Sequence, residues 1–157
     1  MYKTRVDARF DKESGISTAH LITPEGIFHG VAMCAPDDME YISSQFGCEI
    51  AEIRAWISYY KYLKQLSRAK YEVCSHLLKT TPKNVKSSEQ IRRERDKWAK
   101  DCADLKDSIH KMSDEIGGLI KQRDEFIDKV YKHPTIKKTR FEPLENLIER
   151  SKKENSI

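Results

Sequence analysis

Apolar and polar residues alternate at the start of the chain with the period of two that is typical of half-buried strands. Residues 6–10 follow this alternation, and short apolar-rich runs over 16–23 and 27–34 predict two further strands. A turn ending at Gly15 and a tight turn at Pro24-Glu25-Gly26 separate the three runs. Short turns between consecutive strands predict an antiparallel meander, one face of which must be covered by helices.

An amphipathic helix is predicted over residues 48–79, because apolar positions recur there every three or four residues. These positions are Ile50, Ile53, Ile57, Tyr60, Leu63, Leu66, Cys74 and Leu78. Before the helix, Pro36-Asp37-Asp38 ends the third strand, and residues 39–46 indicate a short helical turn that precedes Gly47. After it, residues 80–84 contain a proline and break the helix.

A heptad repeat over residues 91–130 is the strongest pattern in the chain. One series contains Ile91, Trp98, Leu105, Met112, Leu119 and Phe126, and the second contains Cys102, Ile109, Ile116 and Val130. Together they form the a/d seam of a coiled-coil helix, and the capping-box spacing of Ser87 and Gln90 predicts where the helix begins. Gly117-Gly118 weakens the helix but leaves the heptad phase unchanged. We therefore predict one continuous helix, with a hairpin turning at these glycines as the alternative.

These elements predict an α+β fold with an N-terminal three-stranded antiparallel sheet, a long coiled-coil hairpin and a short C-terminal helix that Pro143 opens. The predicted segments are the sheet and strand-to-helix junction (1–47), the helical hairpin (48–133) and a basic connector with the last helix (134–157), all within one integrated domain. The seam of the second long helix is longer than the first helix that can cover it. This excess predicts self-association as a dimer or larger assembly.

Composition adds limits on the kind of protein. Of the 157 residues, 38% are apolar and 34% are charged, which is typical of an exposed helical protein. Twenty-nine basic and 25 acidic residues leave a net charge of +4, which permits an anionic partner without requiring one. Since the chain has neither a run of 18 apolar residues nor the apolar core of a signal peptide, we expect a cytoplasmic protein that does not enter a membrane. The four cysteines lack the close spacing of zinc or redox motifs.

The motifs of catalysis and of cofactor or metal binding are absent from the sequence. It contains no phosphate-binding loop, dinucleotide glycine motif or zinc-protease motif, and its five histidines occur singly without ligand spacing. Asp37 and Asp38 could form a carboxylate pair, but favourable charge at a helix N-terminus explains them more simply. We therefore expect no enzymatic activity, no cofactor and no metal.

Five residues are candidates for binding an anionic or nucleotide-type ligand. Arg54 borders the apolar stripe of the first helix, where it either reaches water, pairs with a nearby acid or presents its guanidinium to an anion. Trp56 is a core residue, an oligomer contact or a stacking face for a base. Arg92 and Arg95 lie near the start of the second long helix, where backbone N–H groups attract anions. Arg95 occupies a seam position, where it should meet an acid or a bound anion or mark the end of the packed seam. Asp38 lies at the strand-to-helix junction.

The strand-to-helix junction also carries a family likeness. The residues that carry it are Gly30-x-Ala32-x-Cys34-x-Pro36-x-Asp38, followed by Gly47 and Ile50-Ala51-x-x-Arg54-Ala55. This pattern resembles small accessory proteins of bacteriophages that infect Gram-positive bacteria. In having an N-terminal sheet followed by long helices, the chain is also similar to the Thoeris anti-defence sponges.

The resemblance implies an oligomer that sequesters a cyclic nucleotide signal, such as glycocyclic ADP-ribose, without hydrolysing it. It further implies that the junction and the long helices line the ligand pocket. The expected function is a non-catalytic, phage-type anti-defence protein in the host cytoplasm that captures a nucleotide-derived immune signal. The alternatives are an anti-CRISPR-like inhibitor or coiled-coil module that binds a host protein, and a basic nucleic-acid-binding dimer.

Overall fold

The structure, a computed structural model, describes residues 4–34, 44–82 and 86–131. Its elements are β1 (Arg5–Asp11), β2 (Ile16–Thr23), β3 (Gly26–Met33), α1 (Ser44–Thr80) and α2 (Lys86–Tyr131). The predicted α+β order of three strands and two long helices is confirmed. The predicted strand end at Pro36-Asp37-Asp38 and the C-terminal helix opened by Pro143 lie outside the described residues.

The three strands form an antiparallel sheet in which β2 is central, as the meander prediction requires. Ala19 on β2 pairs with Ala8 on β1 and with Gly30 on β3. Every second residue of β2 is buried, and these residues are Ser17, Ala19, Leu21 and Thr23. One face of the sheet is therefore covered, and small residues are frequent on that face.

The β1–β2 turn is stabilised by the side chain of Asp11. Its carboxylate accepts a hydrogen bond from the Ser14 hydroxyl at 2.7 Å and one from the Glu13 backbone N–H at 3.1 Å. These two bonds hold the pKa of the Asp11 carboxyl below its usual value, and the bond from Ser14 has the larger effect. Gly15 completes the turn with φ at 69°, a left-handed conformation that glycine adopts without steric strain.

Helix α1 packs directly on the covered face of the sheet through Gly47, Ala51 and Ala55. These residues are four apart and so lie on one side of the helix. Ala51 and Ala55 are completely buried. A Cβ atom at Gly30 would collide with the backbone oxygen of Ala51, and one at Gly47 would collide with the hydroxyl of Ser17. The backbone of α1 therefore lies directly against the sheet, because Gly30 and Gly47 have no side chains to keep the two apart.

Both long helices continue through glycines at which the sequence suggested a boundary or a weak point. Gly47 lies inside α1, which begins at Ser44, so the prediction that a separate turn ends before Gly47 is wrong for the described residues. Because Gly47 has no side chain, the Ser17 hydroxyl fits against the helix there. Gly47 thus allows close packing and does not interrupt α1. Helix α2 continues through Gly117-Gly118, which confirms the predicted continuous helix and excludes the hairpin alternative.

The chain forms two compact units. The described part of the first comprises residues 4–34, 44–56 and 114–131, and contains the sheet with its helical cover. The second comprises residues 57–113 and pairs the rest of α1 with the rest of α2. That pairing is antiparallel, as the Cys102 thiol at 3.7 Å from the Lys64 carbonyl oxygen and the Lys70 ammonium over the Trp98 ring indicate. The prediction of one integrated domain stays a prediction.

We expect Gly30→Ala to lower the free energy of unfolding by about 2 kcal/mol or more, because the new Cβ meets backbone atoms that cannot move aside. Gly118→Ala is the matched control, since a Cβ there meets no described atom within 4 Å. Replacing this mid-helix glycine should raise the free energy of unfolding by about 0.5–1 kcal/mol. Urea denaturation of the full chain measures both, and equal effects of the two variants would contradict the close packing at Gly30.

Candidate functional site

A groove of about 500 Å³ lies between α1 and α2 in the second unit. The residues that line it are Tyr60, Leu63, Leu66, Ser67 and Lys70 from α1, with Trp98, Asp101, Asp104, Leu105 and Ser108 from α2. On each helix these positions are spaced three or four apart, so they form one face. The groove therefore has aromatic and aliphatic walls and a few polar groups, the usual composition of a binding surface.

Trp98 is the central aromatic side chain of the groove. The ammonium group of Lys70 lies 4.2 Å from the Trp98 ring centroid, and that of Lys97 lies 4.8 Å from it. Each is a cation–π contact, which contributes about 0.5–1 kcal/mol at a surface position. Trp98 occupies a heptad position of α2, so the pattern that buries the seam also positions this ring beside α1.

Acidic groups outnumber basic ones among the residues that line the groove. Asp101 and Asp104 contribute two carboxylates, whereas Lys70 contributes one ammonium group. Ser67 and Ser108 add hydroxyl groups, and Ser67 is buried. This arrangement favours a partner that brings hydrogen-bond donors or positive charge towards α2 and apolar groups towards α1.

Arg54 and Trp56, two of the five predicted site residues, belong to the first unit. Nη1 of Arg54 donates a hydrogen bond to the backbone oxygen of Val31 at 2.7 Å. β3 is an edge strand of the sheet, so this bond satisfies a carbonyl group of an edge strand, which is a common site of unwanted strand pairing. Trp56 is half-buried on the same helix. The structure thus gives Arg54 a structural partner that the sequence did not predict.

Arg92 and Arg95 belong to the second unit. Arg92 is exposed, and Nη2 of Arg95 lies 3.4 Å from a carboxylate oxygen of Asp96. Asp96 is the exposed neighbour of Arg95 in the chain, and such pairs contribute little. The expected pairing of a buried Arg95 therefore stays a prediction. The fifth predicted residue, Asp38, lies outside the described residues. The structure therefore does not gather the predicted residues into one cluster within a unit.

Sequence reasoning missed the polar residues of the groove. Lys70, Asp101 and Asp104 lie beside the apolar stripes, and they meet because α1 and α2 pair in antiparallel register. The heptad pattern contained part of this information, since it already placed Trp98 on the face towards the partner helix. The register that brings Lys70 opposite Trp98 depends on the connection between the helices, and no motif encodes it.

Helix α1 also carries an exposed apolar surface, formed by Tyr62, Leu66, Val73 and Leu77, which we call the α1 stripe. Their exposed fractions are 36, 38, 58 and 42%. Spacings of four, seven and four residues place all four on one side of the helix. Leu66 also lines the groove, so the apolar surface continues from the groove onto the outside of α1.

Metal-binding clusters of three or more ligands and membrane-spanning helices are both absent from the described part of the chain. Residues 4–34, 44–82 and 86–131 contain no cluster of three or more His, Cys, Asp or Glu residues that could hold a metal ion. No helix in the same ranges has an apolar stretch that would cross a bilayer.

Replacing Lys70 tests the geometry of the groove. In a Trp56→Phe background, where Trp98 is the remaining tryptophan, Lys70→Ala should shift the Trp98 fluorescence emission. It should also lower the free energy of unfolding by about 0.5–1 kcal/mol, because a cation–π contact is lost. Lys61→Ala, at another exposed lysine of α1, is the control and should change neither quantity. Identical emission spectra for the two lysine variants would contradict the contact.

Comparison of the chain with models of protein families, with curated proteins and with solved structures finds no match. The resemblance to phage anti-defence proteins stays a prediction.

Proposed function

We propose that this chain is a non-catalytic interaction protein whose helical hairpin binds an amphipathic helix of a partner protein. The observation that carries the proposal is the α1 stripe, four large apolar side chains that are 36–58% exposed on one side of a helix. Contiguous exposed apolar surface on a folded protein usually marks a binding site. A groove bordered by such a surface matches the mode in which a helix lays its apolar face between two others.

The dimensions and charges of this surface define the partner. From Tyr62 to Leu77 the stripe extends about 22 Å along the helix, which corresponds to about four turns of a bound helix. The partner helix would place its apolar side chains on the stripe and a basic side chain towards Asp101 and Asp104. A nucleic acid fits less well, because interfaces with nucleic acids are polar and strongly basic. This surface is apolar, and its two carboxylates offset the ammonium groups of Lys70 and Lys97.

The expected phage-type anti-defence role gives this binding a biological setting, namely a host protein in the host cytoplasm. A second copy of the chain could also supply the amphipathic helix that binds the α1 stripe. The heptad seam of α2 gives less support to self-association than the sequence suggested, since seam residues such as Trp98 and Leu105 face a groove that α1 shares. If copies associate, the α1 stripe is the surface that supports it best.

A photo-crosslinking amino acid at position 73 of the full chain, expressed in Gram-positive cells, tests the proposal. We expect one dominant crosslinked protein, and Leu66→Glu should reduce it at least about tenfold because a charge enters the apolar contact. The control places the crosslinker at position 61, an exposed site outside the stripe. Circular dichroism establishes that the variants fold.

The crosslinked product also names the partner, since mass spectrometry distinguishes a second copy from a host protein. Equal crosslinking from positions 61 and 73, or crosslinking that Leu66→Glu leaves unchanged, would exclude the stripe as the binding surface.

Capture of a nucleotide-type ligand is the second candidate function, and the surroundings of Trp98 favour it. The ammonium groups of Lys70 and Lys97 lie over the Trp98 ring, so a base would stack there once these side chains turn aside to neutralise phosphate. Asp101 and Asp104 could accept hydrogen bonds from ribose hydroxyls. Arg54 takes no part in this version, because it donates to Val31 in the first unit.

Thermal melting with cyclic nucleotides tests this second candidate separately. Ligand at about 100 times its dissociation constant should stabilise the chain by about 2.7 kcal/mol, and heating should release it intact. Trp98→Ala should abolish the rise in Tm and Arg54→Ala should preserve it. If no cyclic nucleotide changes the Tm, ligand capture is excluded and the interaction with a helix is unaffected.

A further inference from the structure

His20 and His29 meet on the outer face of the sheet, the face turned away from α1. Although nine residues separate them in sequence, the antiparallel register makes them direct partners on β2 and β3. Their Nδ1 atoms are 2.7 Å apart, and their rings are perpendicular with centroids 4.8 Å apart. The sequence pattern treated these histidines as isolated, and the register of the hairpin corrects that interpretation.

Two ring nitrogens at this distance form one N–H···N hydrogen bond. One imidazole carries the proton on its Nδ1 atom, and the Nδ1 atom of the other imidazole accepts it. The ring nitrogen that accepts a proton is the same atom that binds a metal ion. We propose that His20 and His29 form a two-imidazole site for a divalent transition metal ion, with Cu²⁺ and Ni²⁺ as the best fits. The ion takes the place of the proton between the two Nδ1 atoms, and the ring that carried this proton remains neutral by holding it on Nε2 instead.

The separation of the two Nδ1 atoms can be compared with the spacing of two ligands in each coordination geometry. With metal–nitrogen bonds of about 2.0–2.1 Å, two ligands at a right angle lie about 2.9 Å apart, whereas two ligands of a tetrahedral ion lie about 3.3 Å apart. The observed 2.7 Å is the length of a hydrogen bond, and it needs to open by about 0.2 Å to reach the right-angle spacing and by about 0.6 Å to reach the tetrahedral one. Square-planar coordination is the preference of Cu²⁺ and Ni²⁺, and tetrahedral coordination is that of Zn²⁺.

The surroundings of the pair suit an open site. On the same face Val31 and Ile27 are 45 and 58% exposed, and His29 is itself an exposed residue. Asp7 on β1 is the register partner of His20, which places a carboxylate in the same row across the sheet. Among the described residues no third ligand completes a cluster, so water fills the remaining coordination positions. The site lies in the first unit and does not depend on the proposed helix-binding function.

Titration of the full chain with Cu²⁺ in a non-coordinating buffer tests the site. We expect one ion per chain, and His29→Ala should weaken the binding at least about tenfold because one of two protein ligands is lost. His76→Ala is the matched control, since His76 is an exposed histidine on α1. It should bind as the unaltered chain does, and Zn²⁺ should bind more weakly than Cu²⁺ to both.

Electron paramagnetic resonance of the Cu²⁺-loaded, unaltered chain gives a second measurement that needs no variant. Hyperfine coupling to two imidazole nitrogens supports the site, and coupling to one or none overturns it. Affinity that falls equally in His29→Ala and His76→Ala, or in neither, indicates an adventitious ion only and also overturns it.

Discussion

The close contact between α1 and the sheet is the constraint on which the first unit depends. Gly47, Ala51 and Ala55 present a helix surface almost without side chains, and Gly30 and Ser17 present an equally low surface on the strands. At this contact the side chains are small, so short contacts between backbones and small side chains contribute much of the stabilisation. Leu21, on the same face of β2, is the large apolar side chain that is fully buried. The same contact fixes the direction of α1 and thereby allows Arg54 to reach Val31 at the edge of β3.

Large apolar residues remain accessible in both units. Ile27 and Val31 lie on the outer face of the sheet beside the histidine pair, and four residues of α1 form the stripe next to the groove at Trp98. One surface carries two ring nitrogens 2.7 Å apart, and the other is an apolar row with carboxylates beside it. The two binding proposals each rest on one of these surfaces.

The elements of the fold could be predicted because their periodicities are local. Alternation gave the three strands, and an unbroken heptad phase gave α2 through Gly117-Gly118. The partners of individual side chains depend on the register between elements and were harder to predict from the sequence. Arg54 meets a backbone carbonyl, a group that every residue possesses, so no pattern marks Val31. The histidine pair was accessible in principle, since a two-residue turn between Thr23 and Gly26 places His20 opposite His29.

Hydrogen exchange of backbone amides measures most directly whether the contact of α1 with the sheet holds the first unit together. The amides of Ala51, Ala55 and Ala19 should exchange only through global unfolding, with one common free energy of opening that equals the free energy of unfolding in urea. Exchange of Ala51 and Ala55 at a distinctly lower free energy than Ala19 would mean that α1 leaves the sheet while the strands stay folded. That result would contradict the central role of this contact.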